Sequence, residues 1–108
     1  MNCYEHTLIA KQDLQESDVK NLISKYEGII NKNSGEVLKI EKWGLKKFSY
    51  LIKNNKKGFY FHIKLNGIGK TIKELEKAEN IDQSLIRFLT VRVKKHDLKK
   101  EYFEKNES

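Results

Sequence analysis

Residues 59–65 read Phe59-Tyr60-Phe61-His62-Ile63-Lys64-Leu65, which is the clearest strand pattern in the sequence. Its apolar side chains fall at every second position, which is the pattern of a strand with one buried face. A polar segment of turn composition, residues 54–58, precedes it. A second alternating run, residues 48–53, ends where that segment begins, so the two runs predict a β-hairpin. Gly44 interrupts the longer stretch 36–53, and we expect that strand to be bent or bulged at the glycine.

Two further segments have the period of amphipathic helices. The first spans residues 17–33, with Ser17 as its expected N-cap. The second spans residues 69–79, where Ile72 and Leu75 are expected to face inward. The apolar stripe of the first helix consists of Val19, Leu22, Ile23, Tyr26 and Ile30.

Two short apolar runs complete the set of strands, at residues 4–10 and 85–93. The first has apolar residues on both faces, as expected of a central strand. The order β-α-β-β-α-β predicts an α+β, ferredoxin-like fold: a four-stranded antiparallel sheet with two helices on one face. We assign residues 1–95 to this domain and residues 96–108 to a charged tail that we expect to be flexible.

The charge balance favours a polyanionic partner. The 108 residues include 22 Lys+Arg and 15 Asp+Glu, a formal net charge of +7. A net charge of this sign on so small a domain is typical of nucleic-acid binding, although a lysine-rich surface can also serve solubility alone. We expect a cytosolic protein without membrane contact, because no apolar stretch approaches the roughly 20 residues of a membrane span and the N-terminus lacks a signal-peptide pattern.

The sequence lacks a convincing catalytic or metal site. The single cysteine, Cys3, excludes an intramolecular disulfide, and the three histidines are scattered. A pair of Cys3 with His6 is conceivable, but a packed or exposed histidine is the better interpretation. Gly67-Ile68-Gly69-Lys70-Thr71 is similar to the end of a phosphate-binding loop but lacks its first glycine, because Lys64 stands there. We therefore expect no enzyme activity, no metal, no cofactor and no small-molecule substrate.

Three basic groups point to RNA. They are Lys46-Lys47, the predicted turn with Lys53, Lys56 and Lys57, and the last strand with Arg87, Arg92, Lys94 and Lys95. Such cations can neutralise phosphates and release counterions. Lysines also keep strand edges from aggregating, and for Lys56 and Lys57 that interpretation is preferred. The rRNA-binding candidates are Lys46, Lys47, Arg87, Arg92 and Lys94.

An alternative function is a free-standing RNA-recognition module. Residues 57–64 resemble the RNP1 box of the RNA-recognition motif, which has the same element order and stacks bases on aromatic side chains. Tyr60, His62 and Lys64 depart from that motif. Phe59 and Phe61 would have to lie on the open sheet face, yet they share a wholly apolar row with Ile63 and Leu65. That row predicts core.

A second stretch resembles a more specific signature. Residues 44–53 read Gly44-Leu45-Lys46-Lys47-Phe48-Ser49-Tyr50-Leu51-Ile52-Lys53, which is similar to the signature of the S-six family of bacterial small-subunit ribosomal proteins. Phe48 stands where leucine is usual and Leu51 where many members carry proline. Tyr4-Glu5, residues 57–60 and residues 81–93 also resemble the family, so the resemblance covers residues 1 to about 95.

The resemblance implies a structural constituent of the small ribosomal subunit, bound to the ribosome in the cytoplasm. Such a protein binds the central domain of the small-subunit rRNA in the platform, together with small-subunit ribosomal protein eighteen, and supports subunit assembly and translation. The basic residues above would contact rRNA. The partner protein would cover the sheet face that the helices leave bare, through Leu89, Val91, Val93, Tyr60 and His62.

Overall fold

A single antiparallel sheet carries the fold in the computed structural model, which describes residues 1–96. The strand order is β2-β3-β1-β4, and every neighbouring pair is antiparallel. The predicted order and the central position of the first strand are confirmed. Residue 96 is described, but residues 97–108 of the predicted tail lie outside the described residues. The elements are β1 (Asn2–Lys11), α1 (Glu16–Lys32), β2 (Glu36–Ile52), β3 (Asn55–Gly67), α2 (Gly69–Asn80) and β4 (Leu85–Val93).

The main core lies between the sheet and the two helices. Phe61 is 2% exposed and Leu65 is fully buried, and both pack with the apolar stripe of α1. The predicted core row of β3 is therefore confirmed. Because Phe61 faces the helices, it cannot stack on a base, so the arrangement required by the RNA-recognition alternative is absent. The stripe residues Leu22, Ile23, Tyr26 and Ile30 are buried, and Val19 packs beside them.

The N-cap of helix α1 lies two residues before the predicted cap. The first intrahelical bond runs from the Val19 amide to the Gln15 carbonyl at 3.0 Å, which makes Gln15 the N-cap. The Asp18 carboxylate accepts a hydrogen bond from the Gln15 backbone N–H at 3.1 Å. The prediction of Ser17 as N-cap was wrong, because Asp18 three residues after Gln15 satisfies the exposed donor there.

The hairpin turn is tighter than predicted. It consists of Lys53 and Asn54, whose φ angles are 48° and 65°, and Ile52 pairs directly with Asn55. Two residues in the left-handed region match the twist of the flanking strands. The Asn55 side chain closes the turn by donating to the Ile52 and Lys53 carbonyls at 3.3 and 2.9 Å. Lys56 is consequently part of β3 and not of a turn.

The irregularity predicted at Gly44 is confirmed. The register of β2 against β3 shifts between Lys42 and Gly44, and Gly44 has a φ of 84°. This is a left-handed conformation that favours glycine. The shift inserts Trp43 as an extra residue, and that insertion shapes the sheet face away from the helices.

A buried polar network joins α2 to the sheet. The His6 ring is fully buried, with Nε2 2.7 Å from Glu79 Oε2 and Nδ1 2.6 Å from Thr90 Oγ1. The Thr90 hydroxyl donates to Glu76 at 3.0 Å, so it accepts from Nδ1–H of His6. Burial raises the pKa of Glu79. His6 is thus a satisfied core histidine that fixes α2 across β1 and β4.

Candidate nucleic-acid interface

The sheet face opposite the helices, here called the open face, is roofed in part by Trp43. Its indole stacks on Tyr60, with ring centroids 5.9 Å apart and planes 17° apart. It also stacks on His62, at 5.6 Å and 11°. The indole N–H donates to Glu41 at 3.2 Å. Residues of β2 therefore cover the middle of a face that the sequence predicted to be bare.

His62 lies inside this arrangement and not on its surface. It is 1% exposed, with Nδ1 2.9 Å from Thr7 Oγ1 and Nε2 3.3 Å from Glu5 Oε1. Burial lowers the pKa of His62, although the neighbouring carboxylate of Glu5 opposes the shift. The prediction that His62 touches the partner protein needs correction. Trp43 covers His62, so this histidine packs beneath the surface of the open face. Tyr60 is half-buried on the same face.

The edge strand β4 presents an apolar ridge on the open face. Leu89 is 62% exposed and Val91 is 48% exposed. Their register opposite Thr7 and Glu5 places them on this face, and Val93 follows them half-buried. The structure thus brings together Leu89, Val91 and Val93 as the sequence predicted. Their contact with a partner stays a prediction.

The predicted cationic set divides into two groups. Arg87 pairs with Ile9 on the open face, whereas Arg92 pairs with Tyr4 on the helix side and donates to Asn2 Oδ1 at 2.8 Å. Five positions separate the two arginines, and in a strand an odd separation gives opposite faces. The hairpin end of the sheet carries Lys46, Lys47 and Arg87, and the other end carries Arg92 and Lys94.

A basic arm was present in the sequence but was not recognised as a unit. Residues 42–60, here called the hairpin arm, contain six lysines and no acidic residue. The absence of acidic residues was the signal that could have identified it. The arm also exposes Tyr50, at 69%, and Leu51, at 55%.

A second, smaller core holds the arm against the sheet. Phe48 packs with Ile9 and Ile86 on the open face. It does so over Gly58, where a Cβ would lie 3.0 Å from the tip of the Phe48 ring. Because Gly58 has no side chain, Phe48 can pass over it and contact Ile9 of β1.

Residues 1–96 contain neither a cluster of metal-binding side chains nor a membrane-spanning helix. Within this range, no group of three or more His, Cys, Asp or Glu side chains could hold a metal ion. Over the same residues, no helix is both long and apolar enough to span a bilayer.

Comparisons with known proteins point to one family. The family model described as Ribosomal protein S6 matches residues 3–92. The small ribosomal subunit protein bS6 of Pelagibacter ubique is 51% identical over 107 residues, which cover 99% of this chain and 88% of that relative. The bS6 protein of Brucella anthropi is 38% identical over 97 residues, and the match spans 90% of this chain but only 64% of the relative. The crystal structure of 30S ribosomal protein S6 from Thermotoga maritima superposes with a TM-score of 0.81 at 30% identity, covering 85% of this chain and 87% of that one.

Proposed function

Because the chain belongs to the ribosomal protein S6 family, it is a structural protein of the small ribosomal subunit, bound to the ribosome in the cytoplasm, and we propose that it acts by binding alone, without catalysis. Two surfaces of one sheet support this proposal. The basic hairpin end contacts small-subunit rRNA, and the apolar ridge of β4 contacts a protein neighbour. Function follows here from these surfaces and not from the ferredoxin-like fold, which hosts many activities.

The positive charge of the hairpin arm is the main support for the proposal that this protein binds rRNA. Six lysines without an intervening acid give this part of the chain a strong local positive charge. Lys47 is exposed and pairs with Lys57 across the hairpin, so both charges project from one small region. Each phosphate that such a side chain neutralises releases condensed counterions, which stabilises the complex. We assign the first contact group to Lys46, Lys47 and Arg87, and a second group at the opposite end to Arg92 and Lys94.

The protein neighbour is proposed to be small-subunit ribosomal protein eighteen. The ridge of Leu89, Val91 and Val93 exposes apolar side chains at a sheet edge, and such a patch usually marks an interface. Tyr60 adds a half-buried ring on the same face, on β3 and therefore one strand beyond β1 from the ridge, where Trp43 stacks on it and on His62. The pair would bind the central domain of the rRNA in the platform and so support subunit assembly and translation.

The affinity of the protein for the rRNA junction should depend on both the basic hairpin end and the apolar ridge of β4. The cations supply phosphate contacts but few groups that read bases, so we expect the isolated protein to bind the rRNA junction weakly. The protein neighbour should strengthen binding markedly. Filter binding with and without the neighbour measures this, and equal affinities would contradict the cooperative proposal.

The site assignment is tested by removing two charges at a time. Lys46→Ala with Lys47→Ala should lower the slope of log affinity against log salt by about 1–2, since each phosphate contact contributes about 0.9. The matched control is Lys20→Ala with Lys73→Ala, two exposed lysines on the helices. Equal weakening by both pairs would show that net charge alone acts.

Sedimentation of a cell lysate tests the role itself, because a ribosomal protein should migrate with small subunits.

A further inference from the structure

A groove runs along the hairpin end of the sheet, between the tip of the hairpin arm and two loops. Lys53 and Arg87 line one part of it, together with the end of α2. Lys53 also lines the adjoining part, with Lys11, Asn54 and Gln83. Lys53, Leu85 and Ile86 line both parts, so the two parts adjoin as one groove. We call it the arm groove and define it by Lys11, Lys53, Asn54, Gln83 and Arg87.

The walls of the arm groove are held by local structure. The tip conformation is closed by the Asn55 side chain, and Phe48 packs the arm onto Ile9 and Ile86. On the other side, the Lys11 amide donates to the Ser84 carbonyl at 2.9 Å, which joins the two loops. A site whose parts are fixed in this way binds with little ordering cost.

The groove favours an anion once the carboxylates that are paired with other groups are set aside, because Asp13 then remains against three cations. Three cationic side chains line it, and so do the carboxylates of Glu79, Asp82 and Asp13. Two of these carboxylates are paired with other groups. Glu79 is 2% exposed and lies against His6. Asp82 accepts from the Tyr26 hydroxyl and from the Ser84 amide, and it lies 3.3 Å from Lys25.

The amides add a second kind of recognition. Asn54 and Gln83 are exposed, and an amide side chain can both donate to and accept from a base edge. Phosphate-binding cations beside exposed amides suit an RNA strand whose bases are accessible. Bases become accessible in unpaired segments, because the major groove of duplex RNA is too narrow for side chains.

We propose that the arm groove binds an unpaired segment of rRNA, with Lys53, Arg87 and Lys11 on its phosphates and Asn54 and Gln83 on a base edge. This deepens the rRNA binding proposed above and rests on it. It assigns sequence discrimination to two residues, whereas the lysines of the arm contribute charge alone.

Two double variants separate the two kinds of contact, assayed on the full chain with its protein neighbour and a central-domain rRNA junction fragment. Lys53→Gly with Arg87→Ala keeps the left-handed turn and should lower the salt slope by about 1–2. Asn54→Gly with Gln83→Ala also keeps the turn. It should weaken binding about tenfold or more with an unchanged salt slope, and it should reduce discrimination against changed unpaired nucleotides. The helix control, Lys20→Ala with Lys73→Ala, should do neither.

A photo-crosslinking side chain at position 83 identifies the occupant. Crosslinks to unpaired rRNA nucleotides support the proposal, whereas crosslinks to the protein neighbour would overturn it. Wild-type affinity in both groove variants would also overturn it and would remove Arg87 from the first contact group, while leaving rRNA binding through Lys46 and Lys47 in place. If the wild-type pair fails to bind the junction at all, the proposed function itself is wrong. Urea unfolding of each variant confirms that the fold is intact.

Discussion

Replacement of Gly58 by alanine tests how the hairpin arm is held on the sheet. A Cβ built at Gly58 would lie 2.5 Å from Ile9 Cγ2, 3.0 Å from the Ala10 carbonyl oxygen and 3.0 Å from Phe48 Cζ. The first two atoms cannot move away easily, because one is on a stiff β-branched side chain and the other is backbone. The sheet or the arm must shift instead.

The expected loss of unfolding free energy follows from this crowding. Inserting an extra methyl group into a packed site costs about 1–3 kcal/mol, and the immobile neighbours place Gly58→Ala in the upper part of that range. Reduced freedom of the unfolded chain offsets about 0.4–1 kcal/mol. The net loss should be about 2 kcal/mol, which lowers Tm by about 10 °C for a domain of this size.

Gly28→Ala is the matched control. Gly28 is exposed on α1, and no atom lies within 4 Å of a Cβ built there. Alanine in a helix interior is favoured over glycine by about 0.5–1 kcal/mol, so this variant should be stabilised. Urea unfolding followed by circular dichroism measures both variants. If Gly58→Ala is as stable as the wild type, or gains stability as Gly28→Ala does, the close packing of Phe48 and Ile9 over Gly58 is refuted.

Three further variants probe the core and the polar clusters. Phe61→Ala should lose about 3–5 kcal/mol in urea unfolding, the usual cost of truncating a buried aromatic; near-normal stability with weakened RNA binding would instead favour the stacking alternative. The fluorescence of Trp43 should fall as its stacking partner His62 gains a proton, with a midpoint below about pH 6.5, and His62→Gln should abolish the change. Burial lowers the pKa of His62, so the unfolded chain takes up this proton before the folded chain does as pH falls. The contribution of neutral His62 to the free energy of unfolding is therefore complete above about pH 6.5 and is lost as pH falls through the folded pKa. Glu79→Ala should cost at least about 1–3 kcal/mol, since it leaves His6 Nε2 buried without its partner, and thermal unfolding that matches the wild type would count against that network.

The element order could be predicted because it depends on local periodicity. Alternation at residues 59–65 and the helical stripe ending at Ile30 are properties of neighbouring positions, and the structure follows both. Gly44 marked the irregularity in β2 for the same local reason. The turn at Lys53 was missed because its position depends on which residues of two strands pair, and pairing register is not a local property.

The candidate site required the folded chain. Sequence alone identified basic residues and an apolar last strand, and even the opposite faces of Arg87 and Arg92 follow from their odd spacing. It could not place Lys53 beside Arg87, since 34 positions of chain separate them and only the folded arm brings them to one groove. It also could not show that His62 is buried, because one inserted residue at the bulge turns Trp43 over the open face. The positions of the strands follow from the local spacing of apolar residues. The surface proposed to bind RNA depends instead on strand register, on bulges and on the packing of Phe48 over Gly58.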